Sequence, residues 1–120
     1  MTNPKVYHLF DAVGIELEYM VVSRDSLDVL PITDKVLNDL AGAYVCDVDR
    51  GEIALSNELV VHVIEFKVAK PVPNLDKLAD VFQDHIRDIN TMLQKYDALL
   101  LPSGAHPWMN PRNETHVWPH

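Results

Sequence analysis

From Val13 to Ser23 apolar, β-branched, aromatic and acidic residues alternate with no breaker after Gly14, and this alternation constrains the fold more than any other feature. Strand side chains repeat every two residues. Val13, Ile15, Leu17, Tyr19 and Val21 therefore share one face, and Glu16, Glu18, Met20 and Val22 share the other. The second face is acidic at one end and apolar at the other, which suits the rim of a cavity better than an open wet surface. Glu16 and Glu18 in a strand stand roughly 6.5–7 Å apart. They repel unless water or a cation screens them, and a hard cation with oxygen ligands, such as Mg²⁺, would turn that repulsion into binding. A plain solvated strand face is the other reading of the same pair.

Residues 59–68 read as a second strand, apolar on both faces as in a covered sheet and ended by Pro71 and Pro73. Glu65 intrudes on it, because its same-face neighbours are Leu59, Val61 and Val63. An unpaired buried carboxylate is costly. Lys67, on the same face, would neutralise it in an ordinary ion pair; a cation shared with the other acids is the alternative. Glu58 adds a carboxylate at the mouth of this strand. Glu58 and Glu65 differ by seven, so they reach one site only if Glu58 lies in the preceding loop or a bulge intervenes.

Between the two runs, Asp25, Ser26, Asp28 and Pro31 mark a turn, and Thr33 or Asp34 caps a short helix through Leu40 that stops near Gly42. Tyr44 to Val48 reads as a strand and Asp47 to Gly51 as a turn. A calcium loop fails there: Glu52 stands where the invariant glycine belongs, and no helices flank it. Residues 75–97 carry the clearest helical stripe, with Leu75, Leu78, Phe82, Ile86, Ile89 and Leu93 at three- and four-residue steps and Asn74 as its cap. Ala98 to Leu101 follows as a short strand. Four prolines and no periodicity make 102–120 an irregular loop or tail. The expected class is α+β, with a mainly antiparallel sheet covered by helices in a single domain, 1–120.

The balance of 10 basic and 18 acidic residues gives −8, with no basic patch, so no nucleic-acid partner is expected. No run is long enough to cross a bilayer and no signal peptide opens the chain, so a cytoplasmic protein without a membrane partner is expected. The single cysteine, Cys46, reads as a buried small hydrophobe between apolar neighbours. His106, His116 and His120 could suggest zinc, but their proline-broken context provides no helix to gather them. A lone histidine such as His106 is usually structural, although the Ser103–Trp108 segment after a short strand is a favourable place for an active-site loop.

Taken in order, Gly14-Ile15-Glu16-Leu17-Glu18, then Glu58 and Glu65-Phe66, a long helix, and Ser103-Gly104-Ala105-His106-Pro107 resemble the N-terminal part of the glutamate–cysteine ligase family. The bacterial-type branch of carboxylate–amine ligases, in the glutamine synthetase-like superfamily, is the nearer resemblance. It implies part of a glutamine synthetase-like catalytic fold and an ATP-dependent ligase of the kind found in glutathione biosynthesis. Such enzymes phosphorylate a substrate carboxylate with ATP, and an amine then displaces phosphate to form an amide. The resemblance implies Mg²⁺ or Mn²⁺ held by Glu16, Glu18, Glu58 and Glu65. It places His106, as a catalytic residue, near the phosphates or the carboxylate substrate; Arg112, in the loop that follows and matched to no family motif, is a further candidate ATP contact. Members of the family are longer, so the expectation is an N-terminal segment, inactive by itself, that acts on amino-acid, amine and ATP substrates. A non-catalytic α+β module that self-associates through an open sheet edge is the alternative.

Overall fold

The computed structural model describes residues 5–120. Five strands form one sheet: β1 (Glu16–Ser23), β2 (Asp47–Asp49), β3 (Ile53–Asn57), β4 (Val63–Val68) and β5 (Ala98–Leu101). Their spatial order is β2-β3-β4-β1-β5, and every neighbouring pair is antiparallel. Helices α1 (Thr33–Ala41) and α2 (Leu78–Leu93) pack on one face, and a short α3 (Pro111–Glu114) lies in the tail. The class is α+β, as the alternation and the helical stripe imply.

The core lies between sheet and helices. Val21, Ile53, Leu55, Ile64 and Phe66 meet Val36 and Leu37 of α1 and Phe82, Ile89 and Leu93 of α2, all buried. Each such side chain contributes about 1.5–3 kcal/mol of transfer free energy. On the opposite face a smaller cluster of Met20, Val22, Val29 and Val63 is roofed by Leu27, Leu99, Leu101 and Met109. The rest of that face carries Glu16, Glu18, Ser56, Glu65 and Lys67. The change of character along β1 thus marks where the roof ends.

The boundaries depart from the sequence reading in instructive ways. The first strand begins at Glu16, and Val13 pairs instead with Val72 in an isolated bridge. Residues 59–62 do not join β4: Leu59 is exposed, and Val63 N–H turns back to the Val60 carbonyl. The expected strand at Tyr44–Val48 is displaced to Asp47–Asp49, and β3 was not expected at all. Between them Gly51 (φ +92) turns the hairpin, and its N–H is taken by Asp49 Oδ1 at 2.7 Å. Helix α1 starts after Ile32, which has no side-chain oxygen to cap it, and the first helical N–H, of Thr33, is satisfied by the Val61 carbonyl instead. Helix α2 starts only after Lys77, while Asn74 Oδ1 accepts from Asp76 N–H in a turn ahead of it. Cys46 is exposed rather than buried, since residues 42–46 run outside the sheet. Among the described residues no helix is long and apolar enough to cross a membrane.

Candidate metal centre

One transverse row of the sheet gathers the acids. Across β2, β3, β4 and β1, Asp47 faces Ser56, Ser56 faces Glu65, and Glu65 faces Glu18. Rows of this kind put side chains of one sheet face within contact distance. The next row brings Asp49, Ala54, Lys67 and Glu16 into line. Glu58 arrives from the link between β3 and β4, where the turn at residues 60–62 releases it from strand alternation. The odd spacing of Glu58 and Glu65 is resolved in this way.

Carboxylate oxygens of Glu18, Glu58 and Glu65 all lie within 4.8 Å of one another. Glu65 is 8% exposed. Its Oε1 accepts from Ser56 Oγ at 2.7 Å and lies 3.3 Å from Lys67 Nζ. Lys67 also donates to Ser56 Oγ at 3.0 Å and pairs with Asp47 at 2.8 Å. Asp47 foremost, and then Glu65, hold the Lys67 ammonium above its usual pKa against the opposing effect of burial. Both readings of Glu65 therefore describe part of the geometry: it has its lysine, and it also meets two further carboxylates. Burial, and then repulsion from Glu18 and Glu65, push Glu58 above its ordinary 4.5, while the Leu59 N–H pulls the other way. Glu18, Glu58, Glu65 and Asp47 set four carboxylates against the single ammonium of Lys67, which pairs with Asp47 and Glu65. The all-oxygen set of Glu18, Glu58 and Glu65 is of the kind a hard divalent cation takes.

The other candidate residues lie elsewhere. Glu16 shares the face but not the trio, standing one row away opposite Lys67. His106 is engaged by backbone on both ring nitrogens. Nε2 lies 2.7 Å from the Leu27 carbonyl, which can only accept, so Nε2 carries the proton. Nδ1 accepts from the N–H groups of Trp108 and Met109. This histidine staples the tail to the turn after β1. Arg112 is exposed in α3, with its backbone N–H on Asn110 Oδ1. The three tail histidines do not assemble, since His120 stacks on Tyr44 and faces Asp34. Beside the acids, a cleft of about 450 Å³ opens between Glu16, Glu18, Ser103 and Gly104. Asp47 and Ser56 belong to the constellation and escaped the sequence reading as site residues. A cross-strand partner can be named only once the register is known.

No family model matches the chain, and no solved structure matches it. A protein from Archaeoglobus fulgidus, described as uncharacterized, is 28% identical over 108 residues. The match covers 90% of this chain and 28% of that relative. The chain thus spans little more than a quarter of the length of the relative it matches.

Proposed function

We propose that this chain supplies a divalent-cation site to an ATP-dependent carboxylate–amine ligase of the glutamate–cysteine ligase type. The observation that carries the reading is the convergence of Glu18, Glu58 and Glu65 within 4.8 Å on one face of an antiparallel sheet. Glu18 and Glu65 are the central ligands, fixed by two paired strands, and Glu58 closes the set from a loop. Glu18, Glu58 and Glu65 would hold Mg²⁺ or Mn²⁺, which would supply positive charge to offset the negative charge that builds during phosphoryl transfer.

The chain's own residues do the positioning. Ser56 Oγ and Lys67 Nζ hold one Glu65 oxygen, which fixes that carboxylate's orientation. Outer partners of this kind commonly orient metal ligands. The adjoining cleft of about 450 Å³ at Ser103 and Gly104 borders Glu18 and is where this reading seats phosphate-bearing substrates. The whole enzyme's substrates, an amino acid and an amine joined at the expense of ATP, belong to this proposal, as does a cytoplasmic location. Glu16 takes a supporting electrostatic part, and His106 a structural one.

Electron paramagnetic resonance of Mn²⁺ tests the reading. Titration of the chain should show one tightly held ion whose affinity rises when ATP is added. Replacement of Glu58 by Gln should weaken that ion at least about tenfold. Mn²⁺ that stays free at millimolar protein, with or without ATP, would remove the ligase reading.

A further inference from the structure

The sheet has a gap along half of β1. Val68 N–H donates to the Ile15 carbonyl at 3.0 Å, and Val21 N–H donates to the His62 carbonyl at 2.8 Å. The odd-numbered residues of β1 therefore face β4. Glu16, Glu18, Met20 and Val22 turn their backbone groups the opposite way. On that side β5 pairs only with Met20 to Ser23. Beyond Leu101 the chain leaves the ladder, because Pro102 has no N–H and Ser103 N–H turns back to the Leu101 carbonyl. Among the described residues nothing pairs with the N–H and C=O groups of Glu16 and Glu18.

Clefts flank this edge on both faces of the sheet. On the acidic face lies the opening of about 450 Å³ beside Glu16 and Glu18. On the helix face an apolar groove of about 380 Å³ runs between Leu17 and Tyr19 of β1 and Leu78, Phe82 and Ile86 of α2. Helix α2 thus overhangs a position where, among the described residues, the sheet has no strand. The outer edge of β5, by contrast, is blunted, since Asn90 Oδ1 accepts the Leu100 N–H at 2.9 Å.

We infer that the Glu16–Glu18 edge is a docking slot for an extended peptide strand that alternates apolar and basic residues. A strand added there places alternate side chains in the apolar groove beneath α2 and the others beside Glu16 and Glu18. Charge complementarity selects Lys or Arg for the second set, in a chain whose net charge is −8. Backbone pairing provides the affinity, and the two unlike clefts provide the pattern. The slot shares Glu18 and its adjoining cleft with the proposed cation site, so its test is run in chelator, where peptide binding is read without a competing metal and its failure leaves the Mn²⁺ result untouched.

A fluorescent capped peptide of alternating Lys and Val is titrated into the full chain, beside two controls. One control carries Glu in place of Lys, and the other is N-methylated at alternate residues. The Lys peptide should bind at least about tenfold tighter than either, because the controls lose charge complementarity or ladder hydrogen bonds. Glu16→Pro removes an N–H that faces the slot and spares the β1–β4 ladder, so it should weaken binding about fivefold to tenfold. Equal binding of the three peptides overturns the proposal. So does sedimentation that shows self-association through this edge without peptide binding, which would make a second copy the occupant. Should Glu16→Pro fail to fold, the N-methylated peptide still decides the outcome.

Discussion

Glu18 and Glu65 stand directly opposite each other across the β1–β4 ladder, two like charges in a pair where strands ordinarily place complementary ones. Directly opposed like charges destabilise a sheet by a few tenths to about 1 kcal/mol. Ser56 and Lys67 relieve one of the two carboxylates, and Glu58 adds a third. The arrangement is unfavourable for the metal-free chain; under the proposed function, a bound cation would convert the same geometry into a stabilising one.

Replacing Glu18 with Gln should raise the metal-free thermal midpoint by the equivalent of a few tenths to about 1 kcal/mol. The same change should abolish stabilisation by millimolar Mg²⁺, since a ligand that binds only the folded state raises its stability by mass action. Differential scanning fluorimetry with and without Mg²⁺ measures both effects. A midpoint that ignores Mg²⁺ in the unaltered protein would refute the expectation.

The pH dependence of Glu58 has a definite sign. Its folded-state pKa is raised above 4.5, so folded protein holds this proton more tightly than unfolded chain does. Stability from this group is therefore greatest below 4.5 and declines as pH rises through the folded value. His62 acts oppositely in a neighbouring window: burial foremost lowers its pKa below 6.5, and its contribution is lost as pH falls. The difference between the unaltered protein and Glu58→Gln isolates the first effect. In chelator, the advantage of the Gln variant should open as pH rises from 4.5 towards neutrality. An advantage that is flat with pH would contradict it.

Lys67→Met should destabilise the chain by about 1–3 kcal/mol, because it leaves the largely buried Glu65 with its Ser56 hydrogen bond but without its ion-pair partner. If a cation is shared by the acids, Mg²⁺ should then restore more stability than it adds to the unaltered protein. Chemical denaturation with and without Mg²⁺ reads both quantities. A variant equally unstable in both conditions would show that Lys67 alone serves Glu65.

His106→Ala should lower stability by about 1–3 kcal/mol through loss of its bonds to Leu27, Trp108 and Met109. It should leave Mn²⁺ affinity within about twofold, since both ring nitrogens face backbone rather than the acids. A large loss of Mn²⁺ binding with unchanged stability would restore a role at the site for this histidine.

The primary structure alone determined β1, α2 and the α+β class. In each case a long periodic pattern records which face meets the core, and that record is local. Strand β3 escaped notice for the opposite reason. Ile53-Ala54-Leu55 is short, its last two residues favour helices, and Ser56-Asn57 looks like a loop, yet Ile53 to Ser56 are all buried between β2 and β4. The acids were legible as residue types, but their meeting was not. Glu58 joins Glu65 only because a turn at residues 60–62 breaks the alternation, and Asp47 and Ser56 join only through cross-strand register. His106 was visible as a histidine after a strand; the carbonyl that claims it comes from Leu27, far away in sequence. Periodicity is written in neighbouring residues, whereas register and loop closure depend on groups distant along the chain, so only the folded molecule decides them.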